Sequence, residues 1–539
     1  MLGVSTVAHL LFSWMGYNPT DDGFTLAYSR RILEGQVPHR DFIIIRPVVS
    51  PLIHTPFILF GGEYTFWLSR LFVWFQFACI SWAWVAVINR AFGHPFGRAT
   101  RFFLALVGFV ASANLFTLTA WHTVDGLFFA SLGVWLLATR RHPVTRSGGY
   151  FLIAVSYLCK QSFLFLAPLS LLILGEWREK KYWVSIAAPG LIYGTYLLVT
   201  GALDEAISQM SSQTGLFSIG VVSYLNYGVA LGIVAGFGAL WLLNLRSTTR
   251  PRVGRILGYA GVALLVLVPA CFVAAGFYLA SLSTVSYGVF GMLVGAALCH
   301  AYAKKTRHAD GVDAIDEKSK SRVALLVLAL AWSASLSLGA NSPLLVLGPL
   351  LASLVAFAYS ARHRLDPRVL RGVLVVSGVL VLASFGMTRP VYIYNEDPYT
   401  ELTKPLGGVL PGGRLIYTNP DTYAFMADLD RTVNRISATD KEYAIIPDVP
   451  GYWAQAEQTN PLPIDWLFPV ELSDQDLIDR VERDLDAERG ETVVIVQKVD
   501  AFFLSDDLLP LDKRDYPEVR YVRKNFDKVG ETRFFELYE

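Results

Sequence analysis

The chain of 539 residues is 53% hydrophobic and only 17% charged, and its mean hydropathy is positive. This composition is too apolar for a soluble protein and indicates a polytopic membrane protein. The net charge of +1 hides an asymmetry: residues 1–388 hold 29 Lys and Arg against 15 Asp and Glu, whereas residues 389–539 hold 17 against 30. We therefore predict a basic transmembrane domain over 1–388 and an acidic soluble domain over 389–539, whose acidity and location argue against nucleic-acid binding.

Apolar runs of membrane-crossing length predict a polytopic α-helical membrane protein with about thirteen transmembrane helices. The runs lie near residues 2–16, 66–90, 102–119, 124–139, 150–160, 162–176, 182–200, 226–245, 256–280, 284–302, 323–338, 343–360 and 372–388. The segment 150–176 fits either a re-entrant pair or one broken helix. Residues 2–16 have neither the charged start nor the small-residue cleavage site of a signal peptide, so we expect this segment to remain as a span.

The loops between the predicted spans differ sharply in their content of Lys and Arg. With a cytoplasmic N-terminus, the inner loops carry 23 basic residues and the outer connections carry five. Cytoplasmic loops of membrane proteins are enriched in Lys and Arg. We therefore predict a multi-pass protein of the cell membrane, surrounded by its lipids, whose first outer loop and C-terminal domain are extracytoplasmic.

The first outer loop, residues 18–47, is unusually polar for a connection between membrane spans. Its charged residues include two adjacent carboxylates and several arginines: Asp21, Asp22, Arg30, Arg31, Arg40, Asp41 and Arg46. Leu26, Ile32 and Leu33 share one helical face, which suits a helix lying in the headgroup plane, although a solvated loop fits equally well. The following residues 47–60 carry three prolines and His54, and we expect them to form a partly embedded continuation of the loop.

Ionisable residues are rare in the predicted hydrocarbon region, so each of them needs a physical reason. Asp125, with His122 three residues before it, lies at the outer junction of two spans, where it either caps a helix or takes part in chemistry. Lys160 lies at the next outer turn, where it either extends toward the headgroups or binds an anion. For His122, side-chain packing is the alternative to ligand binding.

These residues lie at the same predicted membrane face as the carboxylates of the first loop. A carboxylate can take the proton from an attacking hydroxyl, and a cation can neutralise a departing phosphate. The set therefore fits a reaction between a lipid-borne phosphate leaving group and a hydroxyl acceptor.

The C-terminal part alternates segments typical of strands and helices. Residues 413–419 and 491–498 are rich in β-branched side chains and predict buried strands, and residues 473–490 predict a helix with Ser473 as N-cap and Gly490 as its stop. Together these segments predict a small α/β domain. In the segment 450–469, Tyr452, Trp453 and Trp466 either line the acceptor side of the site or pack in the core of that domain.

The four cysteines, Cys79, Cys159, Cys271 and Cys299, all fall in apolar segments without metal-type spacing. We expect them to be small buried hydrophobic residues and predict no disulfide framework. The chain contains no GxGxxG, P-loop, GxSxG or HExxH motif, so nucleotide-binding and common hydrolase functions have no support.

The first loop also contains a family pattern, made of Asp21-Asp22-Gly23, Arg31, Gly35, Pro38, Asp41-Phe42, Pro47 and Pro51. With it, the chain resembles the C-type (GT-C) glycosyltransferases that use polyprenyl-phosphate sugars, the relatives of protein O-mannosyltransferases and of the aminoarabinose transferases of lipid A. The resemblance covers residues 1–200 best, and Asp125 and Lys160 match its later positions. The chain departs from the pattern at Asp22, where Glu is common, and at Arg46, where an aromatic residue or proline is frequent.

The resemblance implies an inverting hexosyl- or pentosyltransferase that moves a sugar from a polyprenyl-phosphate carrier to an extracytoplasmic glycan, lipid or protein. Asp21 is the expected general base, with Asp22 and Asp125 as supporting or alternative acids. The donor phosphate is expected to be held by Lys160 with Arg40 or Arg46, and further substrate contacts are expected from His122 and His54. Some members need a divalent ion such as Mg²⁺ or Mn²⁺. Adjacent aspartates on a helix cannot easily face one ion, so we expect no metal site and no cofactor.

Two other classes of function compete with this interpretation. A flippase for lipid-linked oligosaccharides, or another polytopic transporter, predicts ionisable groups along a path through the middle of the membrane. A non-catalytic assembly or receptor protein would use the acidic C-terminal domain to bind partners, and it gives the pattern in the first loop no purpose.

Overall fold

The computed structural model describes residues 1–140, 142–212, 215–245, 251–307, 314–336, 341–360, 365–439, 441–469, 471–472, 474–504, 508–511 and 515–539. Before residue 389 these residues are largely helical, and after it they combine helices with a small sheet. The predicted architecture of many apolar helices followed by a C-terminal α/β region is therefore confirmed.

The helices before residue 389 follow one another with short connections. They are α1 (Leu2–Phe12), α2 (Phe24–Leu33), α3 (Val49–Gly61), α4 (Thr65–Ala91), α5 (Arg98–Ala113), α6 (His122–Thr139), α7 (Pro143–Val155), α8 (Leu166–Leu174), α9 (Lys180–Val199), α10 (Leu203–Ser211), α11 (Gly215–Val222), α12 (Tyr227–Asn244), α13 (Pro251–Val262), α14 (Val268–Tyr278), α15 (Leu282–Arg307), α16 (Ala314–Ser335), α17 (Leu347–Ser360) and α18 (Pro367–Thr388).

Eight helical segments in the described residues are long and apolar enough to cross a membrane. They are Val49–Ala91, His122–Thr139, Lys180–Val199, Tyr227–Asn244, Arg252–Tyr278, Leu282–Ala303, Pro343–Ser360 and Pro367–Thr388, and shorter apolar helices cover Leu2–Phe12 and Gln161–Leu174. Each of the thirteen predicted runs overlaps a helix. Several of these helices are shorter than the about 20 residues that a straight crossing of the hydrocarbon core needs.

Two interruptions of the helical bundle have clear local causes. Helix α5 ends at Ala113 because Asn114 adopts a positive φ of 35°, a conformation that asparagine tolerates better than most residues. The Asn114 side chain then accepts a hydrogen bond from the Phe116 amide and donates one to the Ser112 carbonyl. Between α7 and α8, Lys160 is extended and is flanked by short 3₁₀ turns. Glu176, after the end of α8, bonds Arg146 and Tyr150 on α7, so the two helices run back on each other and match the predicted pair, not one broken helix.

Helix α2 of the first loop is buried by the protein itself, which differs from an exposed solvated loop. Helix α2 is buried along most of its length, from Phe24 to Ser29 and at Arg31, and it packs between α3 and the C-terminal region. Gly23, which precedes the helix, has a φ of 93°, and a Cβ atom there would lie 2.5 Å from the Gly451 Cα atom of the C-terminal region. Glycine is therefore required at this position both by the backbone conformation and by the close approach of the two segments. Residues 47–60, expected to continue the loop, instead contain α3.

The C-terminal region is built on a four-stranded sheet of order β3-β4-β6-β5, formed by β3 (Glu442–Ile446), β4 (Thr492–Gln497), β5 (Lys528–Glu531) and β6 (Phe535–Tyr538). Strands β3 and β4 are parallel, with Ala444 opposite Val494, and the other pairs are antiparallel. A second, two-stranded sheet pairs β1 (Lys404–Pro405) with β2 (Tyr417–Thr418). The helices of this region are α19 (Pro420–Ser437), α20 (Gln475–Ala487) and α21 (Pro517–Asn525).

The two faces of the larger sheet are covered by different helices because successive strand residues point to opposite sides. Val493 and Ile495 pack with the apolar residues of α19, whereas Val494 and Val496 pack with those of α20 and α21. The predicted strand 491–498 corresponds to β4, whereas only Tyr417–Thr418 of the predicted strand 413–419 is paired. Helix α20 is shorter than predicted: its N-cap is Asp474, and the predicted cap Ser473 lies outside the described residues.

Both cores of the C-terminal region include residues of the first loop. Ile43 and Ile45 join the cluster around β4 and α20, and Leu26 and Ala27 join the cluster around α19. The loop and the C-terminal region therefore share their hydrophobic cores. Among the cysteines, Cys159 and Cys299 are buried as expected, Cys79 is half-buried, and Cys271 is exposed on the outer side of α14, which corrects the expectation for that residue.

A buried ion pair holds the first loop against the C-terminal region. The Arg31 guanidinium donates to both oxygens of the Asp465 carboxylate at 2.6 and 2.7 Å and to the Leu462 carbonyl at 2.7 Å. Both side chains are almost fully buried. Since a two-point guanidinium–carboxylate pair has a narrow geometry, it fixes the position of α2 relative to the loop that carries Asp465.

We expect Arg31→Ala to destabilise the protein strongly, because it leaves the Asp465 carboxylate buried without its cation. Removal of one partner of a buried ion pair costs about 3–5 kcal/mol. Thermal unfolding of the detergent-solubilised protein measures the effect. Arg414→Ala is the control: Arg414 pairs with Glu63 at the surface, where both side chains are more than half exposed, so its loss should lower the melting temperature far less than the loss of Arg31. Equal effects of the two substitutions would contradict the assigned role of Arg31.

Candidate functional site

A cavity of about 590 Å³ lies where the first loop, the helical bundle and the C-terminal region meet. Its polar lining includes four residues that the sequence analysis selected: Asp21, Arg46, His122 and Lys160. They come from three separate connections, namely the first loop, the start of α6 and the break between α7 and α8. The structure therefore brings together one carboxylate, two basic side chains and one imidazole that are far apart in the chain.

Asp21 is held in a fixed orientation at this cavity. Its backbone amide donates to the Asn18 Oδ1 atom at 2.9 Å, which closes a turn before α2. The Tyr394 hydroxyl donates to the Asp21 Oδ2 atom at 2.5 Å. Burial, and after it the charge of Asp21, raises the pKa of the Tyr394 phenol well above its ordinary value. The phenol therefore stays protonated and remains a donor to this carboxylate.

Lys160 supplies a basic group to the same cavity. Its ammonium donates to the Thr123 Oγ1 atom at 3.0 Å, and its side chain is 5% exposed. Burial, followed by the nearby charge of Arg46, lowers the pKa of Lys160 to about 7. An anion in the cavity would stabilise the charged form of this lysine by direct Coulomb attraction.

Arg46 and His122 also belong to the polar lining. The Arg46 guanidinium binds both oxygens of the Glu471 carboxylate, at 2.7 and 2.6 Å. The His122 ring stacks on Trp121 with ring centroids 5.5 Å apart. Its buried Nδ1 atom has no hydrogen-bond partner in the described part of the chain, so His122 retains unused hydrogen-bonding capacity next to the cavity.

Much of the remaining wall of the cavity is apolar or aromatic. Aliphatic side chains line it from the start of α15, from α16 and from the turn before α17: Leu282, Ala334, Leu344 and Leu345. Aromatic side chains line it from the connection before α6 and from the C-terminal region: Phe116, Trp121, Trp466, Phe468 and Phe502. The cavity thus combines a charged part with an apolar part contributed largely by the helical bundle.

Asp22 does not line this cavity, although it is adjacent to Asp21 in the chain. Its carboxylate accepts from Arg70 at 3.2 Å and from the Asn18 amide at 2.9 Å. Arg70 also donates to the Ser13 and Gly16 carbonyls, so its guanidinium is buried and hydrogen-bonded. Since the turn before α2 directs the two carboxylates differently, the pair separates into one cavity residue and one residue bonded to α4.

Asp125 and His54 meet each other, but away from the cavity lining. The Asp125 carboxylate is fully buried and accepts from Ser50 at 2.5 Å, from Gln76 at 2.7 Å and from His54 at 3.2 Å. These partners lie on α3 and α4, so the carboxylate joins three helices. This arrangement matches a structural role for Asp125 more closely than contact with a substrate.

Arg40 also lies outside the cavity lining. It is about half exposed, pairs with the neighbouring Asp41 at 2.7 Å and donates to the Thr200 carbonyl. Of the two arginines proposed for the donor phosphate, Arg46 is therefore the one that lines the cavity. Among the aromatic residues of 450–469, Trp466 lines the cavity, whereas Tyr452 and Trp453 pack against Tyr443 in the shared core.

The sequence analysis did not select Tyr394 or Glu471. Tyr394 follows the last span in the segment VYIYNEDPY, where tyrosines beside acidic residues are a weak sign of an interfacial site. Glu471 belongs to an acidic region and has no distinguishing local pattern. Both become visible only through their partners, which lie 373 and 425 residues away in the chain.

The described residues contain no group of three or more His, Cys, Asp or Glu side chains that could hold a metal ion. Comparison of the chain with protein-family models, curated proteins and solved structures returns no match. The resemblance to GT-C glycosyltransferases in residues 21–51 therefore stays a prediction. The arrangement itself can bind an anion beside a carboxylate that accepts a proton, next to an apolar wall.

We expect Asp125→Ala to act on stability, because it removes the acceptor shared by Ser50, His54 and Gln76. Each buried donor left unpaired costs about 1–3 kcal/mol. The expected result is a large loss of thermal stability in detergent, measured by differential scanning fluorimetry. Asp21→Ala is the comparison and should change stability less, because Asp21 lies at a cavity that solvent or substrate can enter. A stable Asp125 variant would contradict the structural assignment.

Proposed function

We propose that this protein is an integral-membrane glycosyltransferase that moves a sugar from a polyprenyl-phosphate carrier to a hydroxyl of an extracytoplasmic glycan, lipid or protein. The observation that carries the proposal is the shared cavity of Asp21, Arg46, His122 and Lys160. Its extracytoplasmic location follows the prediction from the distribution of Lys and Arg. We further propose that the short helices insert beside the eight longer segments, as about thirteen spans require.

The lining of the cavity fits a donor with one charged and one apolar part. Lys160 and Arg46 supply the groups that bind phosphate oxygens, Arg46 with a planar pair of donors. The aliphatic side chains of α15, α16 and the turn before α17 form a wall that a lipid chain can contact, and hydrophobic burial would favour such contact. The aromatic side chains offer flat apolar surfaces next to the polar groups, where a sugar ring can stack.

The chemistry follows from the same side chains. In a single displacement the acceptor hydroxyl attacks the anomeric carbon, and the bond from that carbon to the phosphate oxygen breaks. Asp21 takes the proton of the hydroxyl, and Lys160 and Arg46 stabilise the negative charge that moves onto the departing lipid phosphate. One displacement inverts the anomeric centre and needs one base, the role proposed for Asp21, since the Glu471 carboxylate is paired with Arg46.

The hydrogen bond from Tyr394 holds the Asp21 carboxylate in place for this step. The hydroxyl donates to one carboxylate oxygen, Oδ2. A large part of the rate acceleration by a general base depends on its orientation, because proton transfer occurs only within a narrow range of geometry. Tyr394 is thus proposed as a positioning residue for the base.

A transporter is the second candidate function, and the pair of His54 and Asp125 favours it. Buried ionisable groups inside membrane helices are common on proton and ion pathways. Here Ser50 and Gln76 donate hydrogen bonds to the Asp125 carboxylate, and neither His54 nor Asp125 lines the cavity. A transporter would also require ionisable groups along a path, whereas Asp21, Arg46 and Lys160 collect at a single cavity.

We expect Asp21→Asn to abolish most sugar transfer while the protein remains folded. The substitution keeps the shape of the side chain and removes its basicity, and general-base assistance is worth about 10²–10⁴-fold in rate. The assay is transfer from a polyprenyl-phosphate sugar in detergent or proteoliposomes. Asp22→Asn is the matched control, and it should reduce transfer less because that carboxylate is bonded to Arg70 outside the cavity. Near-normal transfer by the Asp21 variant would rule out its role.

Use of the donor should depend on pH through Lys160, whose pKa is lowered to about 7. A lysine is charged below its pKa and neutral above it, so attraction of the phosphate weakens as the pH rises through about 7. We expect the KM for the donor to increase between about pH 6 and 8 in the wild-type protein. Lys160→Arg, which keeps its charge throughout, should flatten this dependence, whereas Lys160→Met should raise KM at pH 6. An unchanged pH profile in Lys160→Arg would contradict the assignment.

A further inference from the structure

The ion pair between Arg46 and Glu471 lies inside the cavity wall, and both side chains line the cavity. Glu471 is 2% exposed and Arg46 is 16% exposed. The two carboxylate oxygens accept from the two terminal guanidinium nitrogens, so the contact is a two-point pair. No other carboxylate of the C-terminal region lines the cavity in the described residues.

A guanidinium binds a phosphate in the same way as it binds a carboxylate, with two parallel N–H donors to two oxygens. Glu471 therefore occupies the donors of Arg46 that a phosphate group would use. Lys160 lines the same cavity, and the charge of Arg46 is close enough to lower its pKa. The cavity thus contains two basic side chains, and one of them, Arg46, is already paired with a carboxylate of the protein.

The backbone around Glu471 forms a short turn. The amides of Glu471 and Leu472 both donate to the Phe468 carbonyl, at 2.7 and 3.2 Å. Leu472 is buried in the core of the C-terminal region, and Asp465, on the other side of the turn, is fixed by Arg31. The turn therefore has two anchored ends, and between them it carries Glu471 and Phe468 to the cavity.

We propose that Glu471 is an internal competitor of the lipid-linked donor: it occupies Arg46 in the free protein, and the phosphate of the donor displaces it. This inference rests on the proposed function and adds a regulatory step to it. Displacement frees the turn that carries Phe468, so the aromatic lining on the side of the C-terminal region rearranges only after the donor has bound. The donor then binds before the acceptor.

The physical consequence is a lower apparent affinity for the donor. If Arg46 is available in only a small fraction of the molecules, the apparent dissociation constant increases by the inverse of that fraction. Removing the charge of Glu471 removes this competition. Since the displaced carboxylate must reach water or a new partner, the turn must also become more mobile when the donor is bound.

The test measures binding of undecaprenyl monophosphate to the full-length protein in detergent by isothermal titration calorimetry. Glu471→Gln should bind the probe about tenfold more tightly than the wild-type protein, as expected if about a tenth of the free molecules have Arg46 available. Glu34→Gln is the matched control, since Glu34 pairs with Arg30 and contacts Thr459 at the same interface but does not line the cavity. Its affinity should stay within about twofold of wild type.

A second measurement needs no variant. Hydrogen exchange of the Glu471 and Leu472 amides in the wild-type protein should become faster when the probe binds, because their bonds to the Phe468 carbonyl open with the turn. Unchanged or slower exchange in the bound protein would overturn the displacement. The same titration with inorganic phosphate should show the same gain in Glu471→Gln at much weaker affinity. A gain for inorganic phosphate without one for the lipid would overturn the assignment of the lipid as competitor.

The outcomes separate this inference from the proposed function. Equal affinity of the wild-type protein and Glu471→Gln for undecaprenyl monophosphate would overturn the competition and leave the donor site intact. Tighter binding in Glu34→Gln as well would show a general effect of charge and would also overturn the competition. No binding of the lipid phosphate by any of the three proteins would overturn the donor site itself, and the proposed function with it.

Discussion

Burial of the Arg31 guanidinium constrains the arrangement of the whole structure. A charged group in this environment is stable only where oxygen acceptors surround it. Asp465 and the Leu462 carbonyl supply them, and both belong to the C-terminal region. The first loop can therefore be buried only with the C-terminal region in place, and that region in turn closes the cavity. Gly23 and Gly451 approach closely in the same interface, and this contact restricts the position of the first loop relative to the C-terminal region.

This constraint also explains why the carboxylates near the first loop take different environments. Asp21 and Asp22 lie in one turn whose direction is set by burial of α2, so one points to the cavity and the other to Arg70. Asp125 is the acceptor that joins α3, α4 and α6. A carboxylate that acts as a base must be accessible to the substrate. A carboxylate that joins buried helices needs hydrogen-bond donors for both of its oxygens. The structure assigns these two requirements to different residues.

The cavity lies at the boundary of two physical environments. Its aliphatic wall belongs to the helical bundle, while its charged and aromatic groups come from connections and from the C-terminal region. An amphiphilic substrate with a charged group between an apolar chain and a sugar matches this order of surfaces. The pairing of Arg46 with Glu471 keeps the cationic part of the cavity satisfied in the free protein, since an unpaired buried charge is costly.

The sequence by itself determined the helical architecture, the change to an acidic α/β region and four residues of the cavity. Local sequence patterns predict these features: long apolar runs, the segment of β-branched residues in β4, and ionisable residues at one predicted membrane face. The meeting of Asp21, Arg46, His122 and Lys160 could be predicted because all four lie in or beside connections at the same end of the predicted spans. The direction in which a side chain points from its helix could not be predicted. The sequence analysis therefore grouped Asp125 and His54 with Asp21, although they do not line the cavity.

Only the tertiary structure decided which groups meet. It placed Tyr394 on Asp21 and Glu471 on Arg46, across 373 and 425 residues of chain, and no local pattern encodes contacts over such separations. It also buried α2, whose apolar face and arginines fit a membrane surface equally well until the C-terminal region supplies their partners. The physical reason is the same in each case: a polar side chain is buried where partners from distant segments satisfy it, and those partners are known only once the chain has folded.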